Sequence, residues 1–164
     1  MMKREVEIPE QLKHSLFFSE KERVEWPAEA SLSSAPFFIY ELSGEGKPWL
    51  VEDKGLDMIE KEWFLLKAEL ESKFQRRDRD TQVQMKAAIA LFLMKLFWGN
   101  GQPVRLNGWD KQVKKLDVQP VNVTDRLAFV FHRPYSYHSY RQVRELMIEQ
   151  DKLLAKKAAM KEKK

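Results

Sequence analysis

A chain of 164 residues, 43% of them hydrophobic, is long enough for one domain with its own core, so it folds without a disulfide or metal staple. It has no cysteine, which removes disulfides, thiolate zinc sites and cysteine nucleophiles together and points to a reducing, cytoplasmic setting. The net charge of +4 is unevenly shared: residues 1–100 carry 15 Lys and Arg against 18 Asp and Glu, and residues 101–164 carry 14 against 7. An acidic partner, nucleic acid included, would therefore meet the C-terminal half, unless the terminal lysines only keep a frayed helix end in solution.

The opening "MMKREVEIPEQ" is charged and lacks the apolar run of a signal peptide. Residues 1–30 read as an arm packed on the domain, with one short helix near residues 9–14 and little regular structure after it. His14, alone among charges, is expected in solvent. In "SSAPFFIYELSGEG", Ser34 can cap a short helix, Pro36 sits near its first turn, and Gly44 can close it in the left-handed conformation.

The next helix begins near Asp53. Ile59, Trp63, Leu66, Leu70 and Phe74 recur at three- and four-residue intervals, one apolar stripe at the helical period. "RRDRD" breaks that pattern. Thr81, three residues before Gln84, spells a capping box for the helix that follows and ends at Trp98. Its stretch "AAIALFLMKLFW" is apolar nearly all round. That is too short for the ~20 residues a bilayer requires, so it predicts a central helix covered by the others.

"LFWGNGQPVRLNGWD" contains a Gly-x-Gly, but a phosphate-cradling loop follows a strand and opens a helix. Here the glycines follow a helix, at its negative end. Gly99 is expected to be the left-handed residue that stops the helix, with Pro103 preventing its continuation, and Trp98 and Trp109 are expected to pack over the corner. A short lysine-bearing helix follows. Asn122 or Thr124 can cap another over residues 126–132, although Phe129, Val130 and Phe131 would also suit a strand. Ser139 and Gln142 form a second capping box, opening a long last helix with Tyr140, Val143, Met147 and Leu154 on one face. The domain body is thus residues 31–154, and residues 155–164 are a solvated basic helix end or tail.

"HRPYSYHSY" is the richest constellation. Arg133, Tyr137, His138, Arg141 and Arg144, continued by Lys152 and Lys156, could stack on bases or grip an anion. The competing reading is a tyrosine-lined loop that packs on the core and introduces the last helix. His132 and His138 are not at a recognised metal-ligand spacing. The chain holds no Gly-x-Ser-x-Gly and no His-Glu-x-x-His, so no catalytic residue, cofactor or metal ligand is nominated.

At "LFWGNGQPVRL", "LDVQPVNVTDRLAFV" and "YSYHSYRQVRELMIEQDKL" the sequence resembles the YpoC family of small proteins from Bacillus and related Firmicutes. The resemblance carries over no catalytic residue. It implies a gene neighbourhood of replication initiation, endonuclease III, a Holliday-junction resolvase and a penicillin-binding protein, which is association and not mechanism. The expectation is a single all-α domain of five to seven helices, acting as a non-catalytic cytosolic accessory protein through a protein partner. Weak nucleic-acid binding by the basic half is the alternative, and an enzyme the least favoured.

Overall fold

The computed structural model describes residues 5–18, 23–29 and 31–162. Among these residues the protein is mostly helical, with six α-helices, two 3-10 turns and one two-stranded sheet. The helices are α1 (Ile39–Ser43), α2 (Lys54–Gln75), α3 (Gln82–Trp98), α4 (Trp109–Lys114), α5 (Val123–His132) and α6 (Tyr137–Glu162). No helix among them is long and apolar enough to cross a membrane.

α3 is the centre. Every residue from Ala87 to Trp98 is buried, Leu91 and Phe92 completely. A helix apolar on all sides has no face for water, so it must be wrapped, and α2 and α6 pack along it. α2 turns its predicted stripe inward: Ile59, Trp63, Leu66 and Leu70 are buried, and Phe74 packs on the rings of Tyr137 and Tyr140. On α6 the core face is Tyr140, Val143, Leu146, Met147 and Gln150. α5 is a helix and not a strand. Its buried residues Val123, Leu127 and Val130 follow the helical period, while Phe129 is exposed.

The arm is more regular than its composition implied. β1 (Glu5–Glu7) pairs antiparallel with β2 (Arg23–Glu25), with Val6 opposite Val24. These two valines, half-buried between exposed neighbours, are the inward positions of an alternating pattern three residues long. A 3-10 turn at Glu10–Leu12 buries Leu12, and the Gln11 carbonyl accepts from the amides of Leu106 at 2.8 Å and Asn107 at 3.0 Å. His14 is not solvated. It is half-buried, its ring lies 4.7 Å from that of Phe131, and its Nδ1 accepts from the Leu16 amide. Burial holds its pKa below the ordinary value.

Four sequence-predicted helix caps are built differently from expectation. α1 starts at Ile39 because Phe38 is left-handed (φ 61°), so neither Ser34 nor Pro36 belongs to its first turn; Gly44 does close it at φ 71°. Thr81 precedes α3 but makes no side-chain cap. Its hydroxyl donates to the Tyr135 carbonyl, and Gln84 donates to Glu69, so the capping box is not formed. Ser139 lies inside α6, and the capping serine is Ser136, whose Oγ accepts from the Ser139 amide at 3.1 Å.

The fourth is the glycine corner. Gly99 is right-handed (φ −61°) and Gly101 is left-handed (φ 70°). The Gln102 amide donates to the Phe97 carbonyl and the Gly101 amide to the Trp98 carbonyl, both at 2.9–3.0 Å, the two bonds of a Schellman motif with Gly101 at C′. Gly99 serves a different need. A Cβ there would lie 2.7 Å from the Lys95 carbonyl oxygen and 2.9 Å from both Leu154 methyls, so the missing side chain lets α6 cross the end of α3.

Candidate functional site

The residues of "HRPYSYHSY" divide in two. Tyr140 is buried, donates its hydroxyl to Glu71 at 2.8 Å, and has its pKa raised by burial and by that carboxylate. Arg144 lies over the Tyr140 ring, 5.6 Å from its centroid, and its Nη1 is 3.5 Å from the same Glu71 oxygen. Both therefore fasten α6 to α2, and Arg144 is committed to a carboxylate. Arg133, Tyr137, His138 and Arg141 are exposed, as are Lys152 and Lys156 further along. His132 and His138 are both exposed as well, and among the described residues no group of three or more His, Asp and Glu could hold a metal ion.

α6 brings most of the exposed residues onto one face. From His138, the residues Arg141, Glu145, Ile148, Lys152 and Lys156 recur at three- and four-residue intervals, the spacing of one helical stripe. That stripe is not continuously basic. Glu145 and Ile148 interrupt it, and neighbouring Glu149 pairs with Arg126 of α5. From Arg141 to Lys152 the helix climbs ~16 Å at its standard rise, so the two cationic ends are well separated.

The opposite stripe has a different fate. Val143, Met147, Gln150 and Leu154 face the core, and the same period continues onto Lys157 and Lys161. From Ala155 to Glu162 every residue is exposed. The core-facing line of α6 therefore passes from apolar to cationic where the helix outruns the domain. Two grooves flank this free end, and Lys157 and Lys161 line both. One, of about 340 Å³, runs over the glycine corner between Trp49, Trp98 and Leu154, with Glu52 and Asp53 at its rim. The other, of about 390 Å³, lies beside residues 117–119 and has Val118, Leu153 and Met160 for its apolar lining. Both lysines belong to the basic helix end expected at residues 155–164, but their place beside these grooves was not expected. The signal that finds them is the core stripe continued past its last leucine.

Two inward-turned ionisable groups complete the electrostatics. Glu41 of α1 accepts from the Trp98 indole at 2.7 Å and the Val104 amide at 3.0 Å, both at Oε2, while the buried Oε1 has no partner. Burial raises its pKa, opposed by these two hydrogen bonds. Trp98 thus packs over the corner between Tyr40 and Trp49, whereas Trp109 packs on Phe131. The second group is Lys95. Its side chain is 2% exposed, and it reaches Asp151 on α6 at 2.6 Å and Glu60 on α2 at 3.4 Å. Neither group lines either of the two grooves. Both tie helices together.

Comparison with known proteins agrees with this placing of the common core. Residues 53–162, from the start of α2 to the end of α6, match the family described as YpoC-like protein. The chain is 33% identical over 125 residues to a Bacillus subtilis (strain 168) protein titled "Uncharacterized protein YpoC", covering 75% of this chain and 76% of that one. No solved structure matches. The matched span and the identity over three quarters of both chains show that this chain belongs to the YpoC-like family.

Proposed function

We propose that this is a non-catalytic, cytoplasmic accessory protein that acts by holding a protein partner. The observation that carries the reading is the free end of α6. A helix end that leaves its own core for about two turns, with a mixed groove on one flank and a mainly apolar one on the other, offers a surface the domain does not use itself. The exposed neighbours Phe64 and Leu65 on α2, 75% and 69% accessible, add a second apolar spot. The gene neighbourhood implied by the family resemblance supports a setting in DNA maintenance or cell growth.

Affinity capture from a lysate with the full chain, with and without nuclease, tests this reading. A protein retained after nuclease treatment supports it; proteins retained only before treatment would replace it with nucleic-acid bridging.

Direct nucleic-acid binding is the second reading, favoured by the shared exposed face of His138, Arg141, Lys152 and Lys156. Each phosphate contact on duplex DNA steepens the fall of log K with log salt by about 0.9. Anisotropy with labelled DNA should show that slope flatten when residues 155–164 are deleted. Stability should change by less than about 1 kcal/mol, because residues 155–162 are all exposed. No binding by the full chain at low salt removes this reading.

A further inference from the structure

We propose that the groove between the free end of α6 and residues 117–119 receives an acidic, amphipathic segment of the partner protein. This rests on the accessory-protein reading above and specifies its site. The lining has two chemistries. Val118, Leu153 and Met160 make an apolar strip, with Met160 61% exposed, and Lys156, Lys157 and Lys161 stand along it. Asp117 is the one acidic residue lining the groove.

The pairing of these chemistries selects the occupant. A phosphate backbone would satisfy the lysines but leave the strip in water, since it brings no apolar side chain into such a groove. An uncharged apolar segment would cover the strip but leave three ammonium groups crowded without a counter-charge. A second copy of this helix end would set lysine against lysine. A segment with Asp or Glu flanking one or two large apolar residues answers both: its apolar side chains enter about 390 Å³ of groove and its carboxylates meet the lysine rim. Methionine suits such a contact because its unbranched, polarizable side chain adapts to irregular partners.

The lysines are not there to complete the fold. Lys157 and Lys161 occupy core-facing positions of α6 only after the core has ended, and both are fully on the solvent side of the domain. Their place on the inward stripe aims them at the groove walls, while Lys156 reaches the same groove from the outer face it shares with Lys152.

A library of random peptides displayed on phage and panned on the full-length chain tests the proposal. Enriched peptides should be net negative, with apolar residues at helical or alternating spacing. Synthetic copies should bind about tenfold more weakly, or worse, to Lys157→Glu/Lys161→Glu and to Met160→Asp. They should bind undiminished to the charge-matched control Lys61→Glu/Lys111→Glu. All variants change exposed side chains, and thermal melts confirm that each is folded.

Enrichment without acidic bias, no enrichment, or equal affinity for the groove variants would overturn the proposal. So would tighter binding of labelled duplex DNA or phosphatidylglycerol vesicles that depends on the same lysines. The outcome is separable from the lysate capture. A captured partner indifferent to these variants keeps the accessory function and removes this groove from it. Groove-dependent peptides without a captured partner leave the groove standing and remove the broader reading.

Discussion

Lys95 donates to Asp151 across 2.6 Å, from inside the most apolar helix of the protein to the surface of α6. The two ends of this ion pair live in different solvents. The lysine is almost wholly buried, whereas Asp151 and the second carboxylate, Glu60, are about half in water. Removing a carboxylate leaves part of a buried charge unanswered, while removing the lysine leaves two carboxylates that water can serve. Asp151→Asn should therefore cost about 1–3 kcal/mol and Lys95→Met less than about 1 kcal/mol. Urea unfolding of the two variants measures the asymmetry, and equal losses would contradict it.

The glycines of the corner should fail for different reasons. Gly101→Ala keeps open space around its Cβ but must hold a left-handed backbone, at a cost of about 1 kcal/mol. Gly99→Ala has a permitted backbone but drives a methyl into the Lys95 carbonyl and Leu154, an overpacking cost of about 1–3 kcal/mol. Leu154→Ala introduced beside Gly99→Ala should recover part of that loss and none of the Gly101→Ala loss. Additive effects in both double variants would place Gly99 outside the helix contact.

Glu41 makes stability depend on pH in a definite direction. Its folded pKa is raised above the ordinary value of 4.5, so the native state holds this proton more tightly than the unfolded chain. Its contribution is complete below pH 4.5 and is lost as pH rises through the folded value. Glu41→Gln keeps an acceptor for Trp98 and Val104 and removes the charge. The variant should match the native chain in acid and gain relative to it towards neutral pH. Denaturant unfolding across that range reads the difference, and a gap that widens in acid would reverse the assignment.

His14 works with the opposite sign. Burial lowers its pKa from 6.5, so its contribution is present above pH 6.5 and is lost as pH falls through the folded value. The protection of the Leu16 amide, which donates to His14 Nδ1, measured relative to its intrinsic exchange rate, should fall on acidification. His14→Asn retains a side-chain acceptor without the titration, and its Leu16 exchange should follow only the intrinsic pH dependence.

Periodicity makes α2, α3 and α6 legible in the sequence, because Ile59 to Leu70 and Ala87 to Trp98 show in the chain itself which surfaces must leave water. What escaped was decided at a distance. Thr81 has the residue type of a cap, but the Tyr135 carbonyl, 54 residues away, claims its hydroxyl. His14 stands among charges in the chain and among phenylalanines in space, since Phe131 arrives from α5. Between two glycines in one loop, the chain alone does not say which must be left-handed and which must be bare. The crossing of Leu154 over Gly99 settles that. In the candidate site, the exposed face of α6 was readable by spacing, whereas the withdrawal of Arg144 to Glu71 depends on where α2 lies.

The arm's attachment carries a consequence for the order in which the molecule assembles. α2 and α3 are neighbours joined through residues 76–81, a short closure that is entropically cheap. The arm is fastened late in the chain: Gln11 accepts from Leu106 and Asn107, and the Asn107 side chain donates to Glu10 across a separation of 97 residues. Contacts that close so long a loop are expected to form after the local helical pair has collapsed. The segment around Gln11 is then expected to dock after the α2–α3 pair and to open before it.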